Sequence, residues 1–226
     1  MPFLLLLETS SKNCSVALVD EYRIIAQRSA SAEHFVHAEQ LHGMLQEIMS
    51  ENLLSWNMLS AVAVGRGPGS YTGLRIGVSA AKGLCFALNI PLISVDTTQL
   101  LADYAVTRHA DADRILPLID ARRMEVYMAT FDGKAQRLSE DSAVIIDENT
   151  FTSFHPQNLV LVGDGVDKCS TILDKRIRTI SVLPDAPMMH KRAVQSFLEN
   201  KFEDTAYFEP FYLKEYTPGT SRKTVL

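Results

Sequence analysis

The residues that could do chemistry concentrate in one glycine-rich stretch, VGRGPGSYTGLRIG, at positions 64–77. It holds five glycines and two arginines, and it begins at the end of an apolar run at positions 61–64. Glycine-rich loops between a strand and a helix commonly bind phosphate, because exposed backbone N–H groups and a helix N-terminus both attract anions. A nucleotide site is therefore the first hypothesis for this stretch.

Neither common phosphate-binding template fits it. A P-loop requires G-x-x-x-x-G-K-[ST], and here no lysine followed by serine or threonine closes the loop. A dinucleotide-binding loop requires G-x-G-x-x-G, and counting from Gly65 the third glycine is replaced by Ser70. Each glycine inside the helix predicted over 71–88 costs about 0.5–1 kcal/mol relative to alanine. The glycines indicate a close approach by other backbone, either the protein's own sheet or a second subunit.

The loop ETSSKN at positions 8–13 is a second candidate site. It joins a predicted buried strand to a predicted hairpin. Actin-like ATPases place an acidic residue at such a strand end, close to metal and phosphate, and Glu8, Thr9 and Ser10 could take that part. A hydrogen-bonded entry into the hairpin is the alternative interpretation.

Other groups of titratable residues are incomplete. His34, His37 and His42 lie within nine residues, but no cysteine or carboxylate cluster completes a metal-ligand set. Asp120 and Glu125 form a carboxylate pair on or beside predicted strands, without a matching acid or base partner. No metal site and no catalytic residue is therefore predicted.

Composition narrows the class of protein. Of 226 residues, 46% are hydrophobic and 22% charged, which is ordinary for a globular protein. A net charge of -5 argues against strong independent binding to nucleic acid, which requires clustered cations. No apolar run reaches the roughly 18 residues that span a bilayer. The three widely separated cysteines, Cys14, Cys85 and Cys169, indicate buried, reduced thiols, so a cytoplasmic protein without membrane contact is expected.

The order of predicted elements indicates a duplicated α/β fold. The first half reads β-β-β-α-β-α-β-α, with one amphipathic helix over 34–51 and the glycine-rich helix over 71–88. From residue 114 a second three-strand meander is followed again by alternating helices and strands. Two mixed sheets flanked by helices are expected.

Five segments carry a resemblance to a known family: ETSSKNCSVAL, VHAEQLHGML, VGRGPGSYTGLRIGVSAAKGLCFALNIPLISV, LIDARRMEVYMATF and EPFYLK. They occur in the order seen in the TsaB (YeaZ) family, bacterial proteins required for threonylcarbamoyladenosine in tRNA. The resemblance spans residues 3–214 and implies the two-domain actin-like (ASKHA, ribonuclease-H-like) fold. It implies a first subdomain over 1–108, with a segment of about 190–216 packing back on it, and a smaller second subdomain over 109–189.

The resemblance also implies a protein without catalysis of its own. The catalytic paralogue TsaD carries an H-x-x-x-H metal pair, and the corresponding positions here are Thr97 and Leu101. The chain is therefore expected to be a pseudo-enzyme without a cofactor, with ATP and metal on its partner subunits. Two residues depart from the family pattern: Glu8 stands where aspartate is usual, and Gly43 where proline is common. The family-motif loops comprise Glu8, Thr9, Ser10, Gly67, Pro68, Gly69, Ser70, Thr72 and Gly73.

The partners implied are TsaD, bound through the helices over 34–51 and 71–88, and the ATPase TsaE through the complex. Without TsaD the same surface is expected to form a homodimer; contact with tRNA is expected to be indirect at most. On this interpretation Gly77→Leu or Ala80→Arg would abolish TsaD binding without changing the melting of the fold. The residues assigned to the interface are His37, Leu41, Met44, Leu45, Ile48, Arg75, Ile76, Ser79, Ala80 and Gly83.

Two alternative functions stay open at this point. The first is an ATP-dependent actin-fold kinase or carbamoyl transferase acting on its own. The predicted fold and the ETSSKN loop support this alternative. The second is a metallopeptidase, which would need a zinc site. Titration with ATP and Mg²⁺ tests the first, and elemental analysis of the purified protein tests the second.

Overall fold

A computed structural model describes residues 1–31 and 37–214 of the chain. The first half comprises β1 (Phe3–Glu8), β2 (Asn13–Val19), β3 (Ile24–Ser31), α1 (His37–Glu51), β4 (Leu59–Gly67), α2 (Tyr71–Leu88), β5 (Leu92–Asp96) and α3 (Thr97–Arg108). The second half comprises β6 (Arg114–Asp120), β7 (Glu125–Met128), β8 (Phe131–Asp132), β9 (Ser142–Ile145), β10 (Leu159–Val162), β11 (Arg178–Ile180) and α4 (His190–Leu198).

The first sheet has the strand order β3-β2-β1-β4-β5. Strands β1, β2 and β3 form an antiparallel meander, and β1, β4 and β5 run parallel. Leu5 and Leu7 face a core closed by α1 and α2, whereas Leu4 and Leu6 face a core closed by α4 and the turn before it. Because both faces of β1 are covered, its sequence is a continuous apolar run rather than an alternating one.

The second sheet has the order β11-β10-β6-β7-β9, with β8 paired to β6. The strands β6, β7 and β9 repeat the antiparallel meander of the first sheet. The predicted duplicated architecture of two mixed sheets flanked by helices is therefore confirmed.

Helix α3 belongs to both halves. Leu100 packs with the first sheet, while Leu101, Ala102 and Ala105 pack with strands of the second. The boundary predicted at residue 108 would place α3 in the first subdomain, and it stays a prediction. Helix α4, from the other half of the sequence, packs on the first sheet.

The helices that bear on function lie close to their predicted positions. The bounds of α2 match the prediction over 71–88, and Asn89 ends the helix in the left-handed region with φ 53°. The helix predicted over 34–51 is α1, whose described part begins at His37; positions 34–36 lie outside the described residues. None of the helices in the described ranges is long and apolar enough to cross a membrane.

Candidate functional site

Three regularly spaced glycines bring the start of α2 against the loop after β1. A Cβ atom added at Gly73 would overlap the carbonyl oxygen of Thr9, and one added at Gly77 would overlap the Thr9 hydroxyl. A Cβ atom at Gly69 would overlap the carbonyl oxygen of Ser10. Gly69 and Gly73 therefore accommodate backbone and Gly77 a side-chain hydroxyl, and the segment that approaches all three is the chain's own loop at Thr9 and Ser10 rather than the sheet or a second subunit.

The contact between Gly77 and Thr9 corrects the expectation that Gly77→Leu would leave the melting of the fold unchanged. Gly77 is buried, so a leucine there would be driven into Thr9 inside the molecule. Overpacking of a rigid, closely packed site destabilises the fold. The same holds in part for Ala80→Arg, because Ala80 is half-buried and packs on the edge of the first core. Neither variant can test an interface without also perturbing the fold.

The family-motif loops use their backbone N–H groups internally. The Ser10 N–H donates to Glu8 Oε1 at 2.6 Å, and the Ser70 N–H donates to the Ser10 carbonyl at 2.6 Å. Ser70 also caps α2, where its hydroxyl accepts the Gly73 N–H at 3.2 Å. Glu8, Thr9 and Ser10 are almost fully buried. The N–H groups of Ser10, Ser70 and Gly73 are thus used within the chain and are not free to bind an anion.

The remaining motif residues shape the approach to α2. Gly67 has φ +108°, a left-handed conformation that favours glycine, and a Cβ atom there would lie 2.8 Å from the Phe211 carbonyl oxygen. Pro68 follows it through a cis peptide bond. Thr72 is exposed on the first turn of α2. The motif builds a tight turn into the helix.

Glu8 is a buried carboxyl group with a raised pKa. It is fully buried, and burial raises its pKa from 4.5 to about 6 despite the hydrogen bond from Ser10. Its second oxygen, Oε2, has no hydrogen-bond partner among the described residues and lies against Gly65, where any added Cβ would collide with it. At this position the chain carries a destabilising charge near neutral pH.

Glu8→Gln is therefore expected to stabilise the protein above pH 6. A raised pKa means that the native state holds the proton more tightly than the unfolded state, so stability falls as pH rises from 4.5 to about 6. The shift corresponds to about 2 kcal/mol, and glutamine keeps an acceptor for the Ser10 N–H. Urea unfolding at pH 4.5, 6 and 8 measures this, with exposed Glu140→Gln as control. Parallel pH profiles for wild type and Glu8→Gln would contradict the assignment.

The five interface residues predicted on α1 belong to the interior of the chain. The His37 ring Nε2 lies 2.9 Å from the Ser11 carbonyl oxygen, and the other four pack in the first core beside β2. Their exposed fractions do not exceed 8%. Side chains that cover their own sheet cannot also form an exposed docking face, so this part of the prediction is wrong for His37, Leu41, Met44, Leu45 and Ile48.

The five interface residues predicted on α2 are exposed or half-buried rather than buried. We call them the outer α2 face: Arg75, Ile76, Ser79, Ala80 and Gly83. Arg75, Ser79 and Gly83 are exposed at every fourth position, and Ile76 and Ala80 lie half-buried beside them. A Cβ atom added at Gly83 would meet nothing within 4 Å. Phe86, one turn further, is 87% exposed. This face is accessible along two turns of the helix.

A cleft of about 380 Å³ lies between the two sheets. The Asp120 N–H donates to Asp164 at 3.0 Å, and Lys168 pairs with Asp120 at 2.5 Å. Burial raises the pKa of Asp164 to about 6. These groups satisfy one another on one wall of the cleft.

The chain's own C-terminal segment also lines the cleft. The Tyr212 ring lies 4.8 Å from the Tyr71 ring, and Lys214 pairs with Glu125 of β7. The Phe211 N–H donates to the Arg66 carbonyl at 2.8 Å. The segment bridges the two halves, an arrangement that no periodic pattern in the sequence signals.

Thr97 and Leu101, the positions that the family resemblance predicts to correspond to metal ligands of the paralogue, lie in α3. Thr97 is fully buried, and Leu101 packs in the core of the second sheet. Within residues 1–31 and 37–214, no three histidine, cysteine or acidic side chains are grouped so as to hold a metal ion. Each of the three cysteines is buried, and burial raises each thiol pKa to about 11.

Comparison with known proteins identifies the class. The family model described as TsaD, tRNA N6-adenosine threonylcarbamoyltransferase, matches residues 24–154. An activator of the 2-hydroxyisocaproyl-CoA dehydratase from Clostridium difficile, solved with bound ADPNP, superimposes with a TM-score of 0.51. Its 11% identity, over 88% of this chain and 96% of that one, shows the actin-like fold alone.

Two proteins with higher sequence identity to this chain identify the family. The tRNA threonylcarbamoyladenosine biosynthesis protein TsaB of Haemophilus influenzae is 30% identical over 93% of each chain. The structure of YeaZ from Pseudomonas aeruginosa superimposes with a TM-score of 0.82, at 27% identity, over 94% of this chain and 100% of that one. The chain therefore belongs to the TsaB (YeaZ) family of tRNA threonylcarbamoyladenosine biosynthesis proteins, as the sequence motifs predicted.

Proposed function

We propose that this chain is a non-catalytic, cytoplasmic subunit that binds the catalytic protein TsaD through the outer α2 face. In this proposal, the complex transfers threonylcarbamoyl from threonylcarbamoyl-AMP to the adenosine next to the anticodon of tRNAs. The chain acts as a scaffold and activator of TsaD.

The observation that carries the proposal is the contrast between glycines within α2. Gly73 and Gly77 are explained by contact with Thr9, whereas Gly83 is exposed and has no neighbour within 4 Å of an added Cβ atom. An exposed glycine inside a helix costs about 0.5–1 kcal/mol relative to alanine without any gain within the chain. Close approach of a partner's helix offsets that cost, since small residues let two backbones pack tightly.

The lack of catalysis is supported by the motif loops and by α3. The N–H groups of Ser10 and Ser70 donate to Glu8 and to the Ser10 carbonyl, so these two amides are not offered to a phosphate. The family resemblance places Leu101 where the paralogue has a metal-ligating histidine, and the leucine side chain offers no lone pair. ATP and metal are assigned to the partner subunits, and TsaE acts through the complex.

Co-expression with TsaD tests the scaffold role. Purified alone, the chain is expected to form a homodimer of two 25.1 kDa subunits through the same face. With TsaD present, light scattering should show that this homodimer is replaced by an assembly containing both proteins. Separate elution of the two proteins at micromolar concentration would contradict the proposal.

The cleft between the sheets favours one competing function, a kinase or carbamoyl transferase that uses ATP on its own. Lys12 and Arg122 line the cleft and offer positive charge to a phosphate group. Titration of the isolated chain with ATP and Mg²⁺ separates the two functions. The scaffold proposal expects neither tight binding nor turnover, and low-micromolar binding with hydrolysis or transfer would overturn it.

Contact with tRNA is proposed to be indirect at most, because the chain carries a net charge of -5. The isolated chain is expected to form a homodimer and to bind neither a membrane nor nucleic acid.

A further inference from the structure

A groove on the side of α3 shares no lining residue with the cleft between the sheets. It runs between the second half of α3, the turn at 134–136 and the start of α4. Its volume of about 600 Å³ falls in the range typical of small-molecule sites. The groove is large enough for a ligand of nucleotide size.

The charge of this groove is opposite to that of the whole chain. The net charge of the chain is -5, yet the groove is lined by three cations, Lys134, Lys191 and Arg192, and one anion, Asp103. Asp103 is neutralised by Arg192, which donates from Nε at 2.5 Å and from Nη2 at 2.8 Å. The groove therefore carries two positive charges beyond that pair.

Neither Lys134 nor Lys191 forms an ion pair with a described carboxylate. Among residues 1–31 and 37–214, no carboxylate oxygen lies within ion-pairing distance of the Lys134 or Lys191 ammonium group. Asp132, in the same turn as Lys134, accepts the backbone N–H groups of Gln136 and Lys134, and these hydrogen bonds together with the nearby charge of Lys134 lower its pKa. Both lysine side chains are exposed and can turn toward a ligand.

The walls of the groove are apolar and partly aromatic. Tyr104 is held in place because Arg108 donates to its hydroxyl at 3.0 Å and lies 5.0 Å above its ring. His190 is held by the Asp20 carbonyl oxygen, 2.8 Å from its Nε2. The rest of the apolar lining comprises Ile24, Val106, Ala135, Pro187 and Met188.

We propose that this groove binds a phosphomonoester with an aromatic or flat apolar body. Two ammonium groups act as separate point charges and suit a phosphate dianion. The planar guanidinium of Arg192, which could pair with a carboxylate or a phosphate, already has Asp103 as its partner. The Tyr104 ring and the aliphatic wall would pack against the organic body of the ligand.

Titration followed by amide NMR tests the site, with phenyl phosphate, phenylacetate and inorganic phosphate as separate probes. Phenyl phosphate is expected to bind with a Kd of about 0.1–1 mM and to shift signals of Tyr104, Lys134 and Lys191. Phenylacetate and inorganic phosphate should bind at least about 10-fold more weakly. Equal binding of inorganic phosphate, or no shift with about 10 mM phenyl phosphate, would overturn the proposal.

Substitutions test separately what the lysine charges and what the apolar wall of the groove contribute to binding. Lys134→Glu/Lys191→Glu should weaken phenyl phosphate binding about 10-fold or more, because each substitution places a negative charge beside the phosphate. Lys175→Glu/Arg176→Glu changes net charge equally on an exposed turn outside the groove and should leave binding unchanged. Tyr104→Leu should weaken phenyl phosphate but not inorganic phosphate binding.

A separate titration with a polyanion distinguishes binding of a small phosphomonoester from binding of nucleic acid. Bulk tRNA is added to the wild type and to the Lys134→Glu/Lys191→Glu variant, each with an unchanged melting curve as the fold control. Binding of tRNA that depends on both lysines, without a phenyl phosphate response, would overturn the small-molecule proposal in favour of a nucleic-acid surface. The scaffold proposal is tested by TsaD association alone, so the two can fail separately.

Discussion

Gly73→Ala is expected to destabilise the protein by about 3 kcal/mol or more, although alanine is the better helix former. A Cβ atom at this position would overlap the carbonyl oxygen of Thr9. That oxygen belongs to the backbone of a buried loop and cannot rotate away as a side chain would. The start of α2 would have to move off the loop, which also carries the Ser70 to Ser10 hydrogen bond.

Gly83→Ala in the same helix is the matched control, and the opposite sign is expected. No atom lies within 4 Å of an added Cβ there, and the position is exposed. Alanine should therefore stabilise the isolated chain by about 0.5–1 kcal/mol. Urea unfolding followed by circular dichroism measures both variants at one pH. Equal stability of Gly73→Ala and Gly83→Ala would show that the loop does not press on the helix.

A double-variant cycle identifies the atom responsible. At Gly77 the overlap is with the Thr9 hydroxyl, an oxygen without a hydrogen-bond partner among the described residues. Thr9→Ala removes that hydroxyl and should recover part of the stability lost in Gly77→Ala. It should recover nothing in Gly73→Ala, because there the obstacle is the Thr9 carbonyl.

Ser79→Arg/Gly83→Arg is expected to weaken the association with TsaD at least about 100-fold, which corresponds to about 2.7 kcal/mol. The outer α2 face is proposed to accept a partner helix at close range, and two long charged side chains would occupy that space. Both positions are exposed, and replacing Gly83 removes a helix-weakening residue. The melting temperature of the isolated chain should therefore be unchanged or slightly higher.

Measurement of TsaD binding by co-purification and by titration checks this prediction. Ser153→Arg, on an exposed loop of the second half, is the control for added charge and should retain full affinity. Wild-type affinity in the double variant would exclude the outer α2 face as the docking surface. Ser79 and Gly83 are chosen as probes in place of Gly77 and Ala80, because Gly77 is buried and Ala80 is half-buried.

Much of the fold could be read from local patterns. The continuous apolar run of β1 indicated a strand covered on both faces, and the helix bounds at 71–88 and the left-handed Asn89 followed from short-range signals. The ordered motifs, with the GRGPGS block as the most specific of them, indicated the TsaB family, and the relatives confirm it. Glycines and capping residues report on backbone geometry within a few positions, which is why these predictions held.

The apolar stripe of α1 shows where this kind of inference ends. Leu41, Leu45 and Ile48 have the same periodicity whether they cover the protein's own sheet or a partner, because both kinds of burial draw on the same hydrophobic effect. The fold places them in the core. The glycines of α2 are a second case: Gly77 and Gly83 look alike in the sequence, and only their neighbours separate an internal contact from an open face.

From the sequence alone, the strands, the two central helices, the duplicated architecture and the family follow, since each depends on local periodicity, on turn residues or on ordered motifs. Contacts between distant segments depend on the folded chain. They include the closed Glu8 loop, the C-terminal segment along the cleft and the cationic groove beside α3. Residues that are far apart in the chain meet there, and no spacing within one segment encodes which of them will be neighbours.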